Sequence, residues 1–381
     1  MLYAQGYSLT MDKGIYMERY SVSSQTGYAL ANGTAPDFHI IGAFQNYNSS
    51  SIPSGNNNGT ITIKSGTYSR ILAGTRNTTI NYTSHNITGT SSNPFKIKII
   101  IDIQNSTTST DYGHDINMLV GGQTDGSIYA NSELDIKNGN VGRVLGGSIG
   151  YGDRTIYGYP ANTYIGSTLI NVTGGQIDEL YGGSLGRSTQ NAGDVYYYGT
   201  ITINISGGTI NQSVYGAGGG GATGYNSNSS DAYKSYGQNY TTSATVKITG
   251  GYINGNVYGG GYGYSAYLSD DLMAVDGGAL YGNSYIDISG GEINGSIYGA
   301  GRGYDGFASK QALAQMTGNS NITVSRKSIY TWSYLWFRRR IFNICIYCKD
   351  DRKSYCNIKN KFGCKCIWWW KYSANRRHYK C

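Results

Sequence analysis

The chain has 381 residues, of which 57 are glycine, 38 tyrosine and only 4 proline, and charged side chains make up 14%. Glycine without a three-residue period and with so little proline excludes collagen and proline-rich linkers. The formal net charge of +8 is local: residues 326–381 hold 15 of the 30 Lys and Arg and two of the 22 acids. Residues 1–325 therefore stand at −5, which removes the electrostatic footprint of a nucleic-acid binder.

Residues 1–59 form an N-terminal segment whose stretch from Met1 to about Ser51 has no positively charged or apolar region and does not read as a signal peptide. His39-Ile-Ile-Gly-Ala43 reads as a degenerate corner of the repeat that follows. Residues 60–325 form the repeat domain. Its copies run in order from Ile61 (ITIKSGTYSRILAG), Leu134 (LDIKNGNVGRVLGG), Ile170 (INVTGGQIDELYGG), Ile203 (INISGGTINQSVYGAG), Val246 (VKITGGYINGNVYGGG) and Ile286 (IDISGGEINGSIYGAG). The Ile170 copy has one residue fewer before its tyrosine. Between the first two, Phe95 to Ile103 (FKIKIIIDI) reads as a fully buried strand and Ile116 to Gly122 (INMLVGG) as a further corner.

Each copy opens with apolar–polar alternation, the period of a half-buried strand. A glycine pair supplies a sharp corner, and Asn-Gly supplies a second turn. One such coil cannot bury its inward isoleucines, but stacked coils bury them in a ladder. The expected fold is all-β: a right-handed parallel β-helix, or β-solenoid, of imperfect repeats with long loops on one face. Ile203, Ile248 and Ile288 are expected at one rung. Ile177, Ile210, Ile253 and Ile293 form a second, and Val214, Val257 and Ile297 a third. Tyr181, Tyr215, Tyr258 and Tyr298 share one repeat position beside an inward aliphatic residue. They are expected to point outward, where a tyrosine column either packs on itself or offers a ligand face.

Insertions at 184–200, 219–244, 262–284 and 302–320 all leave the repeat at one point, hence from one face. Residues 219–244 read as mobile and Ser309 to Met316 as a short helix. Chemistry is sparse. His39, His85 and His114 sit in no recurrent constellation and read as surface or packing residues. Asp270, Asp271 and Asp276 are the best acidic cluster and read as a solvated turn. No catalytic residue, cofactor site or metal site is expected. Asn-x-Ser/Thr sequons such as Asn77, Asn81, Asn171 and Asn204 are frequent, as this composition makes inevitable.

From Arg326 the pattern stops in mid-repeat. All six cysteines and all five tryptophans lie beyond it, with a single glycine, Gly363. Cys345-x-x-Cys348 and Cys364-x-Cys366 fit no standard zinc spacing. Tryptophan's codon read one base later begins a glycine codon. Trp332 to Phe342 shifted in this way can read GHIYGSGGGYS, close to Gly255–Ser265, GNVYGGGYGYS. Residues 326–381 are therefore expected to be a frameshifted translation of further coils, non-native or disordered.

The repeat resembles the Gly-Gly-x-Ile repeats of bacterial β-helical surface proteins, adhesin-like proteins and autotransporter passenger domains. Chlamydial polymorphic outer-membrane proteins carry a related motif, although their Phe-x-x-Asn partner is not regular here. The resemblance covers about residues 60–325. It implies a non-catalytic, secreted or cell-surface role that binds glycans or host and cell-surface proteins, with no nucleic acid. No transmembrane segment, leader or anchor is visible, so the chain reads as a fragment. The alternative is a carbohydrate-active β-helix enzyme, lyase or glycosidase, or a phage tailspike-like protein. Those need carboxylates or a basic residue gathered at one break in the repeat. Resequencing the DNA across the codons for Asn321 to Tyr330 is expected to find a base lost or gained; an intact frame refutes the frameshift.

Overall fold

In the computed structural model the chain is all-β, with no helix among the described residues. Those are residues 2–4, 7–12, 18–22, 25–29, 39–42, 58–74, 87–104, 114–124, 127–149, 162–186, 195–222, 234–235, 237–264, 278–305, 311–312, 314, 316–325, 329–330, 344–347 and 355–360. Parallel strands stack coil on coil into a β-solenoid. Residues 270, 271, 276, 77, 81 and 85, and most of 326–381, lie outside the described set.

One coil shows how the sequence makes the walls. Strand Val195–Ile205 bends at Gly199 (φ +149°), so its two halves form two walls. Gly207-Gly208 then turns the chain into a third wall, Thr209–Ile210 and Val214–Tyr215. Both glycines are needed. Gly208 sits at φ +76°, as do its equivalents Gly175, Gly251 and Gly291 at +75° to +83°. Gly207 has ordinary torsions, but a Cβ there would collide with the Thr173 carbonyl of the coil below.

The second wall carries a continuous ladder: Ile61, Ile99, Leu134, Ile170, Ile203, Val246 and Ile286 are in register and buried. Ile63, Ile101, Ile136, Val172, Ile205, Ile248 and Ile288 form the neighbouring rung. The rung expected to join Ile203 to Ile248 and Ile288 is thus corrected by two residues. Alternation cannot detect that slip, because positions two apart face the same way. The rung of Ile177, Ile210, Ile253 and Ile293 and that of Val214, Val257 and Ile297 match the register. Each buried aliphatic side chain contributes about 1.5–3 kcal/mol.

Three further expectations change. Phe95–Asp102 alternates buried and outward residues, with Lys96 and Lys98 outside, so it has one buried face rather than two. The helix expected over 309–316 is replaced by strand Gln311–Ala312, paired antiparallel with Tyr304–Asp305. Of the segment 219–244 expected to be mobile, the described residues hold strand Gly219–Ala222 and, from Gly237, a strand of the main stack, while residues 223–233 and 236 lie outside the described set. His39–Ile41 pairs in parallel with Tyr68–Leu72, and Tyr355–Asn360 pairs antiparallel with Ser320–Val324. Gly207→Ala and Gly208→Ala are each expected to cost about 1–3 kcal/mol through backbone crowding and strain; chemical denaturation reads this, and an unshifted midpoint refutes the corner account.

Candidate functional site

The tyrosine column leaves the main core but is not open. Tyr181, Tyr215 and Tyr258 are only 2%, 1% and 5% exposed, and Tyr298 is half-buried. Their rings stack on one another at 4.8–5.1 Å. They form a second apolar cluster with Leu72, Val120, Leu145, Ile149 and Leu185. The expectation that these tyrosines point outward is corrected: the chain after each glycine corner folds back over them. Ile149, Leu185, Gly219, Tyr262 and Arg302 pair in sequence from coil to coil and form a lip. Tyr262 stacks on Tyr215 at 5.1 Å, and Arg302 lies 4.7 Å over the Tyr262 ring and donates to Tyr215 Oη at 3.3 Å.

Between this lip and the third wall runs a groove of about 520 Å³. Its floor is the outward column of the third wall: Arg70, Met118, Arg143 and Glu179, in register through successive coils. Ile149, Leu185, Tyr181 and Tyr262 line the opposite side. These coils have one residue fewer at the corner than the later ones. Gln176–Tyr181 is an unbroken strand, whereas its partner coil breaks between Ile210 and Val214.

Two pairs of polar side chains order the groove. Arg143 Nη2 lies 2.7 Å and Nε 2.9 Å from Glu179 Oε2. His114 Nε2 lies 2.6 Å from Asp178 Oδ2, and Asn211 Nδ2 donates to Asp178 Oδ1 at 2.8 Å. His114 and Asp178 are two coils apart, so the imidazole must cross the coil between. Gly142 provides the passage. A methyl group there would stand 3.2 Å from His114 Cε1 and Nδ1 and 2.8 Å from the Asn117 carbonyl. Glycine inside a strand signals such a close approach.

The sequence reading placed His114 among surface or packing residues and did not single out Arg70, Arg143, Asp178 or Glu179. Two signals pointed to them: the missing residue in QIDELY, and Gly142 in the middle of a strand. The sequon nitrogens of Asn171 and Asn204 are engaged, donating to Asp135 Oδ1 at 2.8 Å and Asn171 Oδ1 at 2.9 Å. Among the described residues no three His, Cys, Asp or Glu side chains gather as a metal site.

Comparison of the chain with protein-family models, curated proteins and solved structures finds no match. The site is thus defined by its own geometry: an axial groove with a polar, internally neutralised floor and an apolar lip.

Burial raises the Tyr258 pKa from 10.0 to about 12. Desolvation of the phenolate is the main cause, and it raises Tyr197 and Tyr164 as well. The unfolded chain releases these protons first. The stability is present in full below pH 10 and is lost as pH rises through the folded value of about 12. Spectrophotometric titration is expected to show these phenols ionising late and together with unfolding; a single transition near the free-tyrosine value in folded protein refutes this.

Proposed function

We propose that this protein is a non-catalytic, secreted or cell-surface solenoid of the bacterial adhesin-like kind that binds glycans in the axial groove. One observation carries the proposal: the groove joins a floor rich in hydrogen-bonding side chains to an apolar, partly aromatic wall. A pyranose ring has the matching two-sided character, with hydroxyls on its edge and C–H groups on its faces. The formal charges of Arg70 and Arg143 balance those of Asp178 and Glu179, so the groove offers hydrogen bonds with little net charge. Such a lining suits a neutral polyol better than an ion. The fold supports the role by repetition, since stacked coils present long, rigid surfaces. Tyr181, Tyr215, Tyr258 and Tyr298 then act as the packed support of the wall, with Tyr181 at its edge.

A second reading rests on His114. Its ring is held through Nε2 by a carboxylate, the arrangement that orients a general base. With Arg70 and Arg143 in the same groove, it suits proton abstraction from an acidic sugar, as in a polysaccharide lyase.

Glycan-array binding followed by titration calorimetry tests the first reading. Saturable binding is expected, with Gly142→Val weakening it about tenfold or more, equivalent to ~1.4 kcal/mol, by displacing the imidazole. Circular dichroism checks that the variant folds. Release of reducing or unsaturated sugars from a polysaccharide would establish the second reading, and the absence of binding to any glycan overturns both.

A further inference from the structure

We infer that the groove takes an extended glycan laid along the solenoid axis, with one pyranose unit over each coil that carries Arg70, Met118, Arg143 and Glu179. The inference rests on the glycan-binding proposal and adds the ligand's shape, direction and length. Three observations carry it.

The first is spacing. Neighbouring parallel strands lie about 4.8 Å apart, close to the length of one pyranose unit in a flat, equatorially linked chain. Each coil presents one outward side chain at the same register, Arg70 to Met118 to Arg143 to Glu179. A ligand with the same repeat meets one such side chain per unit. A helical chain would climb off the floor within a unit or two.

The second is the groove's cross-section. At the coils of Arg143 and Glu179, Ile149 and Leu185 wall it on one side, and the floor faces them from the third strand wall. An extended chain standing on edge puts hydroxyls on the floor and ring faces against the wall.

The third is the end-stop. The shorter corner ends with the coil of Glu179. In the next coil the extra residue breaks the strand between Ile210 and Val214. There Tyr262 stacks on Tyr215, and Arg302 lies over the Tyr262 ring. The space that the ligand occupies in earlier coils is filled by protein at this end. The length of the site is therefore set by how many consecutive coils lack that one residue.

Titration calorimetry of the full chain with cello-oligosaccharides of increasing length tests the inference. Affinity is expected to tighten roughly fivefold per added unit, about 1 kcal/mol, and to level off at four units, matching the four coils of the floor. Helical α-1,4-linked glucose oligomers of equal length are expected to bind no better than their shortest member. A glycine inserted between Asp178 and Glu179, which copies the longer corner, is expected to move the plateau to a shorter chain; circular dichroism confirms folding, and the wild-type series stands without this variant. If a monosaccharide binds as tightly as the long chains, or the helical series behaves like the flat one, the lengthwise inference fails while glycan binding stands. If branched glycans bind and no linear chain does, the inference likewise fails. If nothing on a glycan array binds, both fail.

Discussion

Every feature of this molecule follows from one constraint: a residue lies directly above its counterpart, one strand spacing away. Parallel backbone pairing fixes that distance, and the first glycine of each corner makes it attainable. At Gly174, Gly207, Gly250 and Gly290 the position of an absent Cβ is taken by a carbonyl of the preceding coil. A side chain at any of these positions would force the two coils apart. Columns are the result, and each must satisfy itself at this spacing. Isoleucine columns interlock, tyrosines stack, and asparagines pass hydrogen bonds along the row from Asn204 to Asn171 to Asp135.

Charged residues obey the same rule. Lys98 lies 2.7 Å from both Glu133 and Asp135 of the next coil, and Arg143 reaches Glu179 one coil on. The hydrogen bond that Lys98 donates to the Asp135 carboxylate is the main cause of its raised pKa. These outward pairs are partly solvated, so each adds little to stability. Their effect is to fix side-chain positions on a surface that would otherwise be a row of mobile ions. The groove floor inherits that order, and His114 extends it to two coils by crossing Gly142.

Much of the fold was legible because the repeat is written in backbone-determined residues. Gly-Gly and the alternating isoleucines located the second and third walls, and the register of Val214, Val257 and Ile297 followed directly. What failed did so for physical reasons. The Ile203 rung slipped by two residues because alternation is blind to such a shift. The tyrosines were expected to face solvent because the pattern within a coil says only that they leave the core. It does not say that Leu185 and Tyr262, just past the glycines, turn back to cover them. The groove was hardest to see. His114 and Asp178 are 64 positions apart, and only stacking brings them together. Gly142 was visible as an odd residue in a strand, but its purpose becomes clear only with the imidazole lying over it.

The one-residue difference at the bend within the third wall, between Ile177 and Leu180 or Ile210 and Val214, has a consequence for how such a surface can change over generations. The buried ladders on either side of it, Ile177 with Ile210 and Leu180 with Val214, hold the same register whether two or three residues lie between them. A single-codon gain or loss at that bend therefore alters the outer surface without disturbing the core that selection must preserve. Duplication of a whole coil adds length by the same logic. A lineage carrying this architecture can drift through surfaces of different reach while every intermediate still folds, which frees its exterior to follow a changing environment faster than its interior.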